Sequence, residues 1–141
     1  MIEKVQVWIV SAEKRILLLQ TTAERGGYWQ PVTGGVESGE SHLEAAIREA
    51  NEETGMTRDL LRGCRALGAE CVFDGRWGQA HEVCFGIVLP ALPDGRDPVV
   101  LWDPREHQGA RWVSVSEVES LLTFESNRMG FIALKNALLN I

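Results

Sequence analysis

The sequence predicts an α/β (α+β) domain in which helices cover a mixed β-sheet. Some segments alternate apolar and polar residues as strands do, and others repeat apolar residues at helical spacing. The two kinds of segment do not follow a strict strand–helix–strand order, which favours a mixed sheet over a purely parallel one. The length of 141 residues is suited to one hydrophobic core and not to two. We therefore expect one domain over residues 1–141.

Composition and charge restrict the classes of partner. Fourteen Lys and Arg against twenty Asp and Glu give a net charge of −6, which argues against binding to duplex nucleic acid, since that needs a basic face. The sequence has no run of eighteen apolar residues, so no membrane span is predicted, and the first residues do not resemble a signal peptide. The cysteines, Cys64, Cys71 and Cys84, lack CxxC spacing, so we expect free, mostly buried thiols in a cytoplasmic protein.

The first two segments predict neighbouring antiparallel strands. Residues 4–10 are rich in β-branched side chains and alternate, with Val5, Val7 and Ile9 on one side and Gln6, Trp8 and Val10 on the other. Residues 11–14 form a turn, and the apolar run within residues 15–20 predicts a strand that is buried on both faces. A loop with two glycines follows at residues 24–28.

A helix is predicted over residues 40–54. Its apolar positions recur at helical spacing, at Leu43, Ala46, Ile47 and Ala50. Either Ser38 or Ser41 can cap its N-terminus, and Gly55 occupies the position of a left-handed C-cap.

The second half of the chain predicts three more strands and two more helices. The strands are expected at residues 69–73, 82–89 and 109–115, with a loop at residues 90–98. Ser116 is expected to cap a short helix that ends at Leu122. The terminal helix is expected over residues 128–139, with packing residues Ile132, Leu134, Leu138 and Leu139.

Three glutamates on one face of the predicted central helix are the first sign of chemistry. Glu49, Glu52 and Glu53 have i, i+3 and i+4 spacing, so their like charges lie close together. A solvated face compensated by Arg48 would explain them, and so would a bound divalent cation. Mg²⁺ prefers carboxylate oxygens and is commonly shared between protein carboxylates and substrate phosphates.

The loop before that helix favours the cation. Residues 32–40 contain Gly34 and Gly35, which let the backbone approach a ligand closely. The loop leads into a helix N-terminus, which attracts anions. A glycine-bearing turn joined at a fixed distance to a carboxylate face predicts a site for a phosphorylated ligand.

The same residues resemble the signature of the Nudix hydrolase family. The match covers residues 34–56 and includes Gly34, Glu40, Arg48, Glu49, Glu52, Glu53 and Gly55. Ala50 departs from the larger aliphatic residue that the family usually has. The resemblance implies the Nudix fold, an α/β/α sandwich with a mixed sheet. It also implies Mg²⁺- or Mn²⁺-dependent hydrolysis of a nucleoside diphosphate linked to another group.

The resemblance assigns roles residue by residue. Glu52 and Glu53 are implied as principal metal ligands, and Glu49 as a third ligand or a carboxylate that orients water. Arg48 is implied to hold the glutamates in place. The backbone carbonyl of Thr33 matches a further ligand position, where glycine is more usual. A carboxylate can take the proton of the attacking water. Glu53 is one candidate for this base, and the further carboxylate Glu106, named below, is another.

Three segments outside this signature are similar to dihydroneopterin triphosphate pyrophosphatases, or to relatives that act on dATP-like nucleotides. They are residues 28–35, residues 105–107 together with 111–113, and residues 124–128. The similarity implies Glu106 as an additional catalytic carboxylate. The implied substrate contacts are Arg25, Tyr28, Trp29, His107 and Arg128, although a tryptophan beside a strand is more often a core residue. The related enzymes often carry an arginine after the second strand, where this chain has Thr21 and Thr22.

The expected product pair is pyrophosphate and a monophosphate, and the expected partner is a small nucleotide-like molecule. The alternatives are hydrolysis of diadenosine polyphosphates, ADP-ribose or RNA 5′ ends, and a nucleotide-binding module without catalysis. His42 and His81 show no site-like spacing and are interpreted as surface residues. A homodimer is compatible with the sequence.

Overall fold

The computed structural model describes residues 1–141 and contains seven strands and three α-helices. The strands are β1 (Ile2–Val10), β2 (Ile16–Thr21), β3 (Trp29–Gln30), β4 (Val32–Gly35), β5 (Arg65–Gly75), β6 (Gly78–Val88) and β7 (His107–Val113). The helices are α1 (His42–Thr54), α2 (Val115–Leu121) and α3 (Glu125–Leu134), and α3 continues into a π-helical turn at Lys135–Leu139. None of the helices is long and apolar enough to cross a bilayer.

All seven strands form one mixed sheet, which confirms the predicted sheet type. Five of the strands match predicted segments, but the short β3 was not predicted, and β4 forms within residues 32–40, which were expected to be a loop, because residues 32–35 pair with β1. Strand β1 runs parallel to β6 along its whole length, whereas every other pairing is antiparallel. The opposite edge of β1 pairs with β4 through residues 4–7 and reaches β2 only at Val10. Strands β2 and β4 therefore share one edge of β1, which brings the loop before α1 against the centre of the sheet.

The alternation of β1 separates two hydrophobic clusters. Val5, Val7 and Ile9 pack into the cluster that contains the buried face of α1. Trp8 and Val10 pack into the second cluster, with residues of α2 and α3. The sheet thus lies between α1 on one face and α2 and α3 on the other, which confirms the expected α/β/α sandwich.

Helix α1 is capped as predicted but is rotated relative to the expected stripe. Ser41 accepts a hydrogen bond from the Glu44 backbone N–H and closes a capping box, and Gly55 ends the helix with φ of 76°. The buried positions include Ala45, which the spacing did not select, whereas Leu43 is exposed. The alanines let α1 approach the sheet closely, so the wider leucine at the first turn lies outside the contact.

The C-terminal elements differ from prediction in their boundaries. The cap of α2 is Ser114 and not Ser116, because Glu117 at the third helical position completes a capping box with Ser114. Helix α3 begins at Glu125, three residues earlier than expected. Its buried side is formed by residues including Phe131, and the expected packing residue Ile132 is half exposed.

Strands β5 and β6 form a long hairpin that extends beyond the predicted segments. Its turn lies between Gly75 and Gly78, and the Trp77 side chain at the turn is 79% exposed. The cysteines are free thiols, as expected. Burial raises the pKa of the Cys64 thiol to about 11 and is the main cause that raises the pKa of Cys84 to about 12.

Candidate active site

A cavity of about 850 Å³ opens beside the C-terminal half of α1. Its walls come from β4, α1, the turn of the β5–β6 hairpin and the segment that begins α3. The cavity is lined by seven of the site residues that the sequence predicted, namely Arg25, Tyr28, Thr33, Glu49, Glu53, Glu106 and His107. Most of the expected site is therefore brought together in one concave surface.

Gly34 allows β4 to touch the carboxylate face of α1. Strand pairing holds Gly34 opposite Val5 on β1, and the Glu49 carboxylate lies directly against the Gly34 backbone. A methyl group at position 34 would overlap that carboxylate, whereas a methyl group at Gly35 would meet open space. The glycine in the motif is needed for this close approach and not only for loop flexibility.

Arg48 joins the loop before α1 to the carboxylates on the helix. Its guanidinium donates to Glu40 at 2.7 and 3.0 Å and to the Gly35 carbonyl oxygen at 2.8 Å. On the helix, it donates to Glu49 at 3.0 Å and to Glu52 at 3.2 Å. These partners raise the pKa of the guanidinium, so Arg48 stays charged and fixes the carboxylates relative to the loop.

Glu53 is the buried carboxylate of the site. Only 5% of the residue is exposed, and it lies in hydrogen-bonding contact with Glu49. Burial raises the pKa of Glu53 well above its usual range, and the hydrogen bond and negative charge of Glu49 raise it further. A divalent cation would offset this accumulation of negative charge, and carboxylate oxygens are the donors that Mg²⁺ prefers.

Glu52 occupies a different position from the other two glutamates. Its side chain is 55% exposed, it does not line the cavity, and it is held through Arg48. Of the two residues expected as principal metal ligands, only Glu53 lines the cavity in this arrangement. The pair that faces the cavity is Glu49 and Glu53.

His107 places a buried imidazole beside Glu53. It is the first residue of β7, and its Nε2 lies 3.5 Å from Glu53 Oε1. Burial lowers the pKa of His107, and its Nδ1 is buried without a hydrogen-bond partner. The neighbouring Glu106 is exposed at the edge of the cavity. A neutral imidazole and a second carboxylate thus stand next to the glutamates of α1.

Two buried polar residues also line the cavity, namely Glu82, which was not predicted from the sequence, and Asn127, which lies in the segment 124–128 named above. Glu82, which is 2% exposed, accepts a hydrogen bond from Gln6 Nε2 at 2.7 Å, and Gln6 Oε1 accepts one from Trp8 Nε1 at 2.6 Å. Asn127 is equally buried, and its Oδ1 has no partner. The signal available in the sequence was a glutamate at an inward-facing position of a strand, where burial is costly without a partner.

Aromatic side chains form the outer part of the same cavity. The rings of Tyr28 and Phe124 meet edge to face with centroids 4.8 Å apart, and Trp77 contributes from the hairpin turn. Polar groups at the inner end and aromatic rings at the mouth provide a site for a planar, hydrogen-bonding group.

Two expected substrate contacts do not line the cavity. Trp29 packs against the cluster beneath α2 and α3, where the Arg111 guanidinium lies 5.5 Å from its ring. Arg128 donates to the backbone carbonyl oxygen of Leu122 at 2.8 Å, because its side chain turns back toward the start of α3. In this arrangement both side chains are engaged by the protein itself, and their contact with substrate stays a prediction.

Comparison with known proteins finds relatives that match most of this chain. Over 120 residues the chain is 35% identical to an octanoyltransferase of Myxococcus xanthus, covering 82% of this chain and 31% of that protein. Over 98 residues it is 33% identical to the asymmetrical bis(5′-nucleosyl)-tetraphosphatase of Sus scrofa, covering 70% of this chain and 63% of that enzyme. The chain therefore spans less than two thirds of the length of either relative.

The fold has a close structural counterpart. The dihydroneopterin triphosphate pyrophosphohydrolase of E. coli superposes with a TM-score of 0.79 and 23% identity, covering 99% of this chain and 96% of that one. The family model for the NUDIX domain matches residues 3–134, which include every residue that lines the cavity apart from Ile2. The chain belongs to the NUDIX family.

Proposed function

We propose that this protein is a Mg²⁺- or Mn²⁺-dependent pyrophosphohydrolase that cleaves a phosphoanhydride bond in a nucleoside triphosphate-like substrate. Its products are pyrophosphate and a monophosphate. The observation that carries the proposal is the buried Glu53, in contact with Glu49 and facing a cavity large enough for a nucleotide. Family membership supports the same reaction class.

The donor set at the cavity suits a hard divalent cation. Glu49 and Glu53 would supply carboxylate oxygens, Thr33 a backbone carbonyl oxygen, and Glu52 a further carboxylate after release from Arg48. When bound, such an ion neutralises charge on phosphate oxygens and makes water more acidic. Arg48 acts as a positioning residue, because it holds Glu49 and Glu52 against the loop through the Gly35 carbonyl.

The remaining residues are proposed to bind the substrate or to transfer a proton. Glu53 takes the proton of the attacking water, and Glu106 is the second candidate for that role. Arg25 and His107 line the side of the cavity where the phosphate chain would lie next to Glu53. Tyr28 offers an aromatic ring for the base.

The inner end of the cavity favours a heteroaromatic base on the substrate. Glu82, which accepts a hydrogen bond from Gln6, and Asn127, whose Oδ1 has no partner, line the cavity and offer polar groups to such a base. Groups of this kind recognise the hydrogen-bonding edge of a planar ring, so dihydroneopterin triphosphate or a deoxynucleoside triphosphate is the proposed substrate. A dinucleoside polyphosphate is the second candidate, because the Sus scrofa relative is named for that class.

The proposed enzyme acts as one domain over residues 1–141 in the cytoplasm. One continuous sheet separates and supports both hydrophobic clusters, which favours a single domain. The three cysteines are free thiols, which suits a reducing compartment.

The test is product analysis by mass spectrometry with the wild type and with Glu53→Gln. The substrates are dihydroneopterin triphosphate, deoxynucleoside triphosphates, diadenosine polyphosphates, ADP-ribose and 5′-triphosphorylated RNA, each with and without Mg²⁺. We expect Mg²⁺-dependent release of pyrophosphate and a kcat for Glu53→Gln that is roughly 10²–10⁴-fold lower. The variant should keep its melting temperature, because glutamine has the shape of the protonated carboxyl group.

Glu13→Gln is the matched control, since Glu13 is an exposed turn residue far from the cavity lining. Wild-type turnover by Glu53→Gln at saturating Mg²⁺ would contradict the assignment of Glu53 as the base. The absence of any product across the panel would favour the nucleotide-binding module instead.

A further inference from the structure

Two histidines that the sequence analysis interpreted as isolated surface residues meet at one glutamate. Glu3 Oε1 lies 2.9 Å from His42 Nε2 and 2.7 Å from His81 Nδ1, and the three donor atoms all lie within 4.8 Å of one another. The parallel register places Glu3 of β1 directly beside His81 of β6. His42 reaches the same point from the first turn of α1. We refer to Glu3, His42 and His81 as the triad.

The chemistry of the triad differs from that of the carboxylate site. Two imidazole nitrogens and one carboxylate oxygen form a donor set typical of Zn²⁺ and similar transition-metal ions, whereas Mg²⁺ takes oxygen ligands. The sites are also separate, because the seven steps from His42 to Glu49 and the eleven steps to Glu53 correspond to about 10 and 16 Å along the axis of α1.

A fourth group supports a metal site and not only a hydrogen-bonded cluster. Nε2 of His81, the ring nitrogen that faces away from Glu3, lies 3.3 Å from Glu70 Oε1. A carboxylate on the remote ring nitrogen is the arrangement that orients metal-binding imidazoles and increases their basicity. Glu70 therefore stands where an outer-shell partner of a metal ligand would be expected.

The triad can open to the spacing of a metal site without a change in the fold. Donor atoms of a tetrahedral zinc site stand about 3.3 Å apart, so the two contacts with Glu3 need to lengthen by roughly half an ångström. The three side chains are between 23 and 41% exposed, which leaves access for an ion and for a water as the fourth ligand. The ion would take the place of the hydrogen in each N–H···O contact, so each imidazole would carry its hydrogen on the other ring nitrogen, which in His81 faces Glu70.

From this geometry we propose that Glu3, His42 and His81 form a second metal site, which binds one Zn²⁺-class ion with an open fourth position. The bound ion links the starts of β1 and α1 to β6 and stabilises that end of the sheet. The inference is independent of the proposed hydrolase activity.

The experiment is a zinc titration at saturating Mg²⁺, followed by NMR of the imidazole rings. The chain has three histidines, so His107 serves as an internal reporter for the cavity. We expect one equivalent of Zn²⁺ to shift the resonances of His42 and His81 and to raise the melting temperature. The proposal fails if stoichiometric zinc leaves both resonances unchanged, or if only His107 responds.

Variants separate the metal ligands from their neighbour. His42→Ala and Glu3→Gln should both abolish stoichiometric zinc binding. Glu3→Gln still offers an oxygen that accepts hydrogen bonds from both imidazoles, so this variant removes the metal ligand while it keeps the hydrogen bonds. Glu70→Gln should weaken zinc binding by about 10–100-fold. Glu13→Gln, which removes an exposed carboxylate elsewhere, should bind as the wild type does. Equal zinc affinity in the wild type and Glu3→Gln would overturn the proposal.

Discussion

Replacing Gly34 with alanine should damage catalysis while leaving the fold intact. The new methyl group would overlap the Glu49 carboxylate, which Arg48 holds at 3.0 Å and which contacts Glu53. The carboxylate oxygens of Glu49 would have to move by roughly 1 Å to reach an ordinary van der Waals distance from the new methyl carbon. Because Glu49 is linked to both neighbours, the displacement reaches the whole set of proposed metal ligands.

The magnitude follows from that displacement. A misplacement of about 1 Å in a catalytic group costs on the order of 10²-fold in rate. This corresponds to about 2.7 kcal/mol of activation free energy. We expect Gly34→Ala to lower kcat by about that factor in a coupled phosphate-release assay at saturating Mg²⁺, with an unchanged circular dichroism spectrum.

Gly35→Ala is the matched control, because a methyl group there meets nothing within 4 Å. It should retain wild-type activity, since its backbone carbonyl still accepts the hydrogen bond from Arg48. Equal activity of the two variants, whether both are active or both are impaired, would refute the reasoning about close approach at Gly34.

Two further predictions concern the interior. In α3, the methyl group of Gly130→Ala would overlap Gln6 Oε1. This overpacking should lower the free energy of unfolding, measured by urea denaturation, by about 1–3 kcal/mol. Unchanged stability would contradict this expectation. The second concerns the cysteines, of which Cys64 and Cys84 are buried, so only Cys71 should react readily with a thiol reagent in the native protein. A pKa of about 12 leaves roughly one Cys84 thiolate in ten thousand at pH 8, so the reactivity of Cys84, and likewise of Cys64, should rise with pH. Rapid reaction of all three thiols in the native state would show that these burial arguments are wrong.

Local patterns predicted the fold class and the glutamate face because both depend on neighbours in sequence. The alternation of β1 correctly separated Val5 from Trp8, and Ser41 was one of the two caps that local sequence offered for α1. Leu43 was misplaced because the exact rotation of a helix depends on which side chains let it approach the sheet, and small alanines decided that contact.

Long-range pairing was not predictable in the same way. The triad depends on the parallel register between Glu3 and His81, which are 78 residues apart. Arg128 was expected at the substrate because residues 124–128 resemble a segment of related pyrophosphatases, whereas its guanidinium here donates to the Leu122 backbone carbonyl oxygen, just before α3. A sequence shows which residues can form a site, but the tertiary register decides which of them meet.

The hairpin between β5 and β6 has a consequence for how this protein can diversify. Its turn, with Trp77 at the tip, borders the cavity without touching the arginine that fixes the glutamates. Insertions or exchanges in this turn can therefore enlarge or narrow the entrance while the hydrolytic groups keep their spacing. New ligand preferences can arise in this fold by reshaping a surface loop, with the chemistry inherited unchanged.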